Sequence, residues 1–465
     1  MFDLDNSFTS VVQMKTIKQL SLFPEIEGID SKNEIENWGT FKDSLKAPVH
    51  RWFTYPAGFS YKAVIHSIER FGITSDMVVY DPFMGSGTTN LTCKSLGISS
   101  FGVEAHPFVY KIAKAKMNWE INYQEAVVFI KKVENIFMKK LDETINKKEF
   151  SIENCFPELV IKCYSKNTIE KLYILKIILE AEGLSEPVFD FFYVVITALL
   201  RDVSSAATGW PYIAPKKLKP TSTDKEVLVE FIKLSYQMLK DIRNIKQSSF
   251  KNHQKSTHNL FNADSRNTEP FIKNQSVDYV FTSPPYLNNF DYSDRTRLEL
   301  YFWGDAKNWK EISDNFRTKL ITSATTQVLR GDSRYILLDD FKKECDEITD
   351  FIQNSAHKLA ELRKIKGGKK SYDLMVIGYF NDMYKILKDV YRVLKHNTKA
   401  LFVLGDSAPY GIHIPTDKLI GEIGVCVGFD NYKMEVLRKR GDKWKDNPQR
   451  HNISLQESII ILEKK

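Results

Sequence analysis

Thr282-Ser-Pro-Pro-Tyr286 is the stretch whose residue types and order are best suited to chemistry. It closes an apolar run, Val277, Tyr279, Val280 and Phe281, that reads as a buried strand, and neither Pro284 nor Pro285 has an N–H with which to continue a ladder. The backbone must leave the sheet at Ser283, at the carboxyl end of a strand, where open α/β sheets bind ligands. There the Ser283 hydroxyl and the Pro284 carbonyl can accept hydrogen bonds from an amino group, with the Tyr286 ring beside them as a stacking plate. A planar base carrying an exocyclic amine suits such a cluster. The plainer reading of the same residues is a tight turn that ends a strand.

A second stretch has the form of a ligand-binding turn. Met77-Val-Val-Tyr80 reads as a short buried strand, runs into Asp81-Pro-Phe-Met-Gly-Ser-Gly-Thr-Thr89, and is followed by a helix through Cys93 and Leu96. Gly85 and Gly87 let the backbone approach a ligand, and Thr88 or Thr89 can cap a helix whose first amides face it. Glu104 lies about 20 residues beyond the turn, where an acid at a strand end accepts both hydroxyls of an adenosine ribose. The full Gly-x-Gly-x-x-Gly pattern and a phosphate-binding lysine are both missing, which favours a nucleoside without phosphates. Asp264, closing the apparent strand Leu260–Asp264, can accept an adenine amino group.

These motifs need an open sheet to hold them, and the periodicity divides the chain accordingly. Residues 1–46 read as an irregular N-terminal arm and 47–121 as a cofactor-binding half, with aromatic core packing over His50–Ser60 and a helix Tyr61–Phe71 capped by Ser60. Residues 122–259 switch to helical spacing and read as an inserted helical region. It includes a buried helix over Phe189–Leu200, too short and, with Asp190, too polar to span a bilayer. Residues 260–300 form the catalytic half, 301–370 a second inserted region with a helix Phe341–Lys364 and a flexible basic hinge Ile365–Lys370. Residues 371–465 return to the sheet, with a helix Tyr379–Leu394 and strands Ala400–Leu404 and Gln456–Leu462.

Composition is that of a globular protein, 43% hydrophobic and 27% charged, and the acidic first residues give no signal peptide. Cytoplasmic location is the expectation. The five cysteines, at 93, 155, 163, 345 and 426, form no Cys-x-x-Cys pair, which leaves zinc and disulfide frameworks unsupported. The net charge of +7 is concentrated: Trp210–His258 holds 10 Lys/Arg against 4 Asp/Glu, and Val436–His451 holds 6 against 2, together more than the whole excess. Such windows suit a polyphosphate partner, although solvated helix faces produce them too. Lys216, Lys217 and Lys219 in the first window, Arg438 and Arg440 in the second, and Arg295 after the Pro-Pro-Tyr turn are the expected nucleic-acid contacts.

Taken together, Asp81-Pro-Phe-Met-Gly-Ser-Gly-Thr-Thr89, Glu104, Asp264 and Thr282-Ser-Pro-Pro-Tyr286 resemble the signature set of the S-adenosylmethionine-dependent DNA amino-methyltransferases. The resemblance implies an α/β, Rossmann-like seven-stranded methyltransferase sheet interrupted by the helical insertion and the second inserted region. It implies S-adenosylmethionine as cofactor, held by Asp81, Phe83, Gly85, Gly87, Thr88, Glu104 and Asp264. Catalysis would fall to Ser283, Pro284, Pro285 and Tyr286, acting on a base flipped out of double-stranded DNA. A companion restriction endonuclease is a further partner that such enzymes can have.

Serine before Pro-Pro-Tyr is more similar to the N4-cytosine than to the N6-adenine enzymes. Methylation of the C5 carbon of cytosine would need a nucleophilic cysteine, which that family places after a proline, and no cysteine here follows one. RNA or a protein amide as substrate, and a non-catalytic DNA-binding subunit, are the competing readings. With the cofactor motif first, target recognition is expected in the helical insertion, in the 287–370 region, or in both.

Overall fold

A computed structural model describes residues 38–55, 58–207, 213–218, 225–247, 256–440 and 453–465. Seven strands form the central sheet: β1 (Val78–Asp81), β2 (Ser99–Val103), β5 (His258–Phe261), β6 (Val277–Thr282), β7 (Leu394–Gly405), β8 (Asn431–Arg440) and β9 (Leu455–Lys464). Their order is β5-β2-β1-β6-β7-β9-β8, parallel throughout except that β9 runs antiparallel to both neighbours. β1 and β6 are adjacent, so the glycine turn and the Ser-Pro-Pro-Tyr turn leave the sheet side by side. The mixed α/β fold with a seven-stranded sheet is the one the motifs imply.

Side chains alternate along these strands, so each strand supplies both faces. Val79, Tyr279, Phe281, Leu401 and Val403 pack on one face with Val64 and Ile68 of α1 (Tyr61–Arg70) and Cys93 of α2 (Thr88–Leu96). Tyr80, Val280, Ala400 and Phe402 face the other way, into a layer that later helices of the chain complete. The Ser60 hydroxyl accepts from the Lys62 N–H at 3.2 Å, which starts α1 where its capping residue predicts.

After α3 (Pro107–Met117) the insertion contributes α4 (Tyr123–Ile145), α5 (Lys166–Ala181), α6 (Glu186–Val203) and α7 (Val227–Gln247), which share one large core with α3. It is anchored to the sheet domain by polar contacts as well. Asp241 on α7 accepts from the Trp52 indole at 2.9 Å, and the Arg201 guanidinium on α6 pairs with Glu299, a carboxylate with no exposed surface.

Several boundaries differ from the sequence-based expectation. The insertion stops before His258, where β5 begins, and it also contains a small antiparallel pair, β3 (Ala206–Ala207) with β4 (Ala214–Leu218). Asp264 is not the last residue of a strand but lies beyond β5 in the following turn. The helix expected over Phe341–Lys364 is broken at Cys345 (φ −137°), giving Asp339–Glu344 and then α8 (Asp346–Ile365). The next helix, α9 (Tyr372–Val393), starts seven residues before the expected Tyr379. It packs on the sheet with α10 (Thr416–Cys426). The strand β8 was not expected at all.

Candidate active site

The glycine turn is built by its neighbours. Asp81 is fully buried at the end of β1, and its carboxylate accepts from the Thr282 hydroxyl at 2.6 Å and from the Phe83 N–H at 3.0 Å. The Thr89 hydroxyl donates to the Phe281 carbonyl at 3.3 Å. These bonds tie the two turns together, so any displacement of one is felt by the other. Burial, more than any charge, pushes the Asp81 carboxyl up to about 6, while its hydrogen bonds pull it back.

Gly87 itself occupies the N-cap of α2 in the left-handed region, φ 90°, and no side chain caps the helix, so neither Thr88 nor Thr89 plays the expected capping part. Gly85 also has positive φ, 54°, and a side chain there would meet the Tyr55 ring at 3.5 Å. Both positions suit glycine because a branched side chain at such φ is strained. Lys116 supports the turn from below: fully buried on α3, it donates to the Ser86 carbonyl at 2.9 Å, and burial lowers it to about 7.

In front of the turn lies a cleft. Phe83, Gly85, Thr88 and Glu104 line it from the glycine-turn side, Asp264 from the loop after β5, and Ser283 and Pro285 from the Ser-Pro-Pro-Tyr turn. Asp81, Gly87, Pro284 and Tyr286 are not among its lining residues, and Asp81 and Pro284 are buried. One Glu104 oxygen accepts from the Gly85 N–H at 2.9 Å, the other from the His106 N–H at 2.8 Å. Each keeps a lone pair for a ligand. Burial raises the Glu104 carboxyl to about 7, with the nearby Asp81 adding to the effect.

Asp264 is half exposed and paired with Arg266, whose Nε lies 2.9 Å from both carboxylate oxygens. Arg266 also pairs with Asp382 at 2.8 Å, and Asp382 accepts from the Thr322 N–H at 2.9 Å. The network fixes the segment Lys319–Ile321 that closes the cleft opposite the glycine turn. Residue types and spacing gave no sign of that wall. Nor did they single out Tyr55 and Tyr292, which line the cleft with ring centroids 5.8 Å apart; both lie in segments whose aromatics otherwise pack the interior.

At the Ser-Pro-Pro-Tyr turn, the Ser283 hydroxyl donates to the Val403 carbonyl on β7 at 3.0 Å. Its proton is thereby engaged, and its lone pairs are left to accept. The Tyr286 hydroxyl donates to Glu457 on β9 at 2.7 Å, and burial together with that carboxylate keeps the phenol well above its ordinary value, hence protonated.

The expected nucleic-acid residues are dispersed. Arg438 pairs with Glu457, the carboxylate that accepts from the Tyr286 hydroxyl, and the Arg440 guanidinium lies 5.3 Å from the centroid of the Tyr286 ring. Arg295 is 5% exposed, against the Phe290 ring. Lys216 and Lys217 are on β4, and Lys219 lies outside the described residues. No helix among the described residues is long and apolar enough to cross a membrane.

Comparison with known proteins adds to this geometry. Residues 16–115 match a family model described as DNA methylase. The chain is 25% identical to the Type II methyltransferase M.BsoBI of Geobacillus stearothermophilus, over 97% of this chain and 95% of that protein. It is 24% identical to the Type II methyltransferase M.AvaI of a Nostoc species, over 86% and 82% of the two chains. It is 22% identical to the Type II methyltransferase M.MvaI of Kocuria varians, over 91% and 92%.

Proposed function

We propose, from the premise that this chain belongs to the DNA amino-methyltransferase family, that it methylates the exocyclic amine of a flipped base in double-stranded DNA, at cytosine N4 rather than adenine N6. The observation that carries the reading is that one cleft joins the Ser283 oxygen to the Gly85 turn and Glu104. S-adenosylmethionine, the family's methyl donor, supplies an electrophilic methyl group when bound. The cleft fits it: the Glu104 lone pairs suit ribose hydroxyls, Gly85 leaves room for close approach, and Asp264 offers an acceptor for the adenine amine.

The chain's own residues then act on the target. An exocyclic amine is a poor nucleophile because its lone pair is delocalised into the ring. Ser283, with its proton committed to Val403, and the Pro284 carbonyl accept the two amine N–H bonds and favour a more tetrahedral nitrogen whose lone pair can attack. Because the turn is tied to Asp81 and β7, these oxygens are set before the base arrives. Extruding the base costs roughly a few kcal/mol, which stacking on Tyr286 partly offsets. No covalent enzyme intermediate is required. Serine in place of an acid before Pro-Pro-Tyr supports cytosine, and the Type II names of the relatives support a restriction-modification setting; a cytoplasmic location and a companion endonuclease are part of the same proposal.

Long-read sequencing of DNA from cells expressing the protein tests this. N4-methylcytosine confined to one short sequence context is expected; marks on adenine would overturn the choice of base, and unmodified DNA would overturn the substrate. Lys216, Lys217 and Lys219 are proposed as phosphate contacts of the insertion. Neutralising all three is expected to flatten the slope of log affinity against log salt by about 0.9 per lost contact, and an unchanged slope would leave them as solvated surface.

A further inference from the structure

Glu457 stands where no surface role explains it. It lies on β9, in register with Gly405 of β7 on one side and Arg438 of β8 on the other, and it is 1% exposed. One of its oxygens takes the Tyr286 hydroxyl at 2.7 Å, and the other takes Nε of Arg438. The backbone of Gly39 presses against the same carboxylate, leaving no space for a side chain there. A buried carboxylate is costly unless its charge and lone pairs are met. Here Arg438 meets the charge, Gly39 closes the pocket, and the remaining acceptor is aimed at one atom of the catalytic turn.

That atom matters because a stacking plate works only if its plane is fixed. Packing can hold the ring of Tyr286 in place, but its tilt is set at the far end by the hydroxyl. The same edge of the sheet carries Arg440 over the ring, its guanidinium filling the space above Gly405 and reaching the Asp406 carbonyl at 3.4 Å. The end of β7 also supplies Val403, the partner of Ser283. Both halves of the proposed amine site are thus oriented by the β7-β9-β8 part of the sheet.

We propose that Glu457 is a positioning residue for methyl transfer, fixing the plane of the Tyr286 ring through its hydroxyl while Arg438 holds the carboxylate in place. This inference rests on Tyr286 being the plate for the extruded base. The hydroxyl, though remote from the amine, then contributes to rate: Tyr286→Phe keeps the ring and loses its orientation, and it leaves a buried oxygen without a donor.

The test is a double-mutant cycle read by single-turnover methyl transfer to duplex DNA, with cofactor and DNA affinities measured separately. Tyr286→Phe and Glu457→Ala are each expected to slow the step about tenfold with both affinities within twofold of wild type, and the double variant to be no more than about twofold slower than the slower single. Glu457→Gln, which keeps an acceptor for the hydroxyl and disturbs the strand least, is expected to recover most of the rate. Losses that multiply in the double variant, or a Tyr286→Phe protein as fast as wild type, would overturn the inference while the functional reading stands. A wild-type chain that leaves DNA unmethylated would overturn the functional reading itself.

Discussion

Tyr286→Ala is expected to slow methyl transfer by roughly a hundredfold or more while leaving S-adenosylmethionine affinity near wild type. Base stacking on an aromatic side chain is worth about 1–3 kcal/mol, up to roughly a hundredfold in rate where it acts on the reacting complex. Truncation also strips the buried Glu457 of its hydroxyl donor. Cofactor affinity is spared because Tyr286 does not line the cleft that Gly85 and Glu104 face. Calorimetry for the cofactor and single-turnover transfer for the chemistry separate the two effects, and a variant that lost both equally would place Tyr286 in the cofactor pocket instead.

The second large effect is expected at the glycine turn. Gly85→Val puts a branched side chain at φ 54°, against the Tyr55 ring, at a backbone strain of about 1–3 kcal/mol in addition to the lost space. Its cofactor affinity is expected to fall at least tenfold. Glu104→Gln is expected to lose a similar amount and, unlike wild type, to show little dependence on pH. The sign follows from burial, which places the Glu104 carboxyl near about 7, above its ordinary value. Below that pH the free protein holds the group largely protonated, and a ribose donating two hydroxyl protons prefers the carboxylate.

Wild-type affinity should therefore rise as pH climbs through 7 and level off above it. Tyr55 and Tyr292, both held above their ordinary values, stay neutral, and Lys319 also lines the cleft. Flat affinity between pH 6 and 8 in the wild-type protein would remove Glu104 from the ribose site.

Why some of this was legible in the sequence and some was not follows from what each residue depends on. The two turns could be read because their chemistry is local: a strand, prolines that must leave it, glycines that must accept positive φ, and an acid one strand further on. Glu457 could not, because it meets Tyr286 across 171 residues, and in the sequence it sits unremarkably beside the apolar run Ile459–Leu462. The strand β8 is hidden by its charge: its last residues, with Arg438, Lys439 and Arg440, fall in the basic window Val436–His451, while the strand lies at the sheet edge, where one face meets solvent.

The capping of α2 was misplaced for a related reason. Threonine is a good cap by type, but the turn's own geometry puts Gly87 at that position. Asp264 was read as a strand end because Leu260 and Phe261 are apolar, whereas pairing with β2 ends at Phe261. Tyr55 illustrates the opposite case: the aromatic segment around it does pack the core through Trp52 and Phe53, and only the assembled fold shows that Tyr55 and Phe59 also line the cleft.

The most direct test of the central claim is to incubate the purified chain with duplex DNA and S-adenosylmethionine carrying a labelled methyl group, digest the DNA to nucleosides, and locate the label. Label is expected on an exocyclic amino nitrogen, as N4-methyl-2′-deoxycytidine, at a rate that Ser283→Ala and Tyr286→Ala both depress. Label on a ring carbon, or transfer that survives both substitutions undiminished, would contradict it.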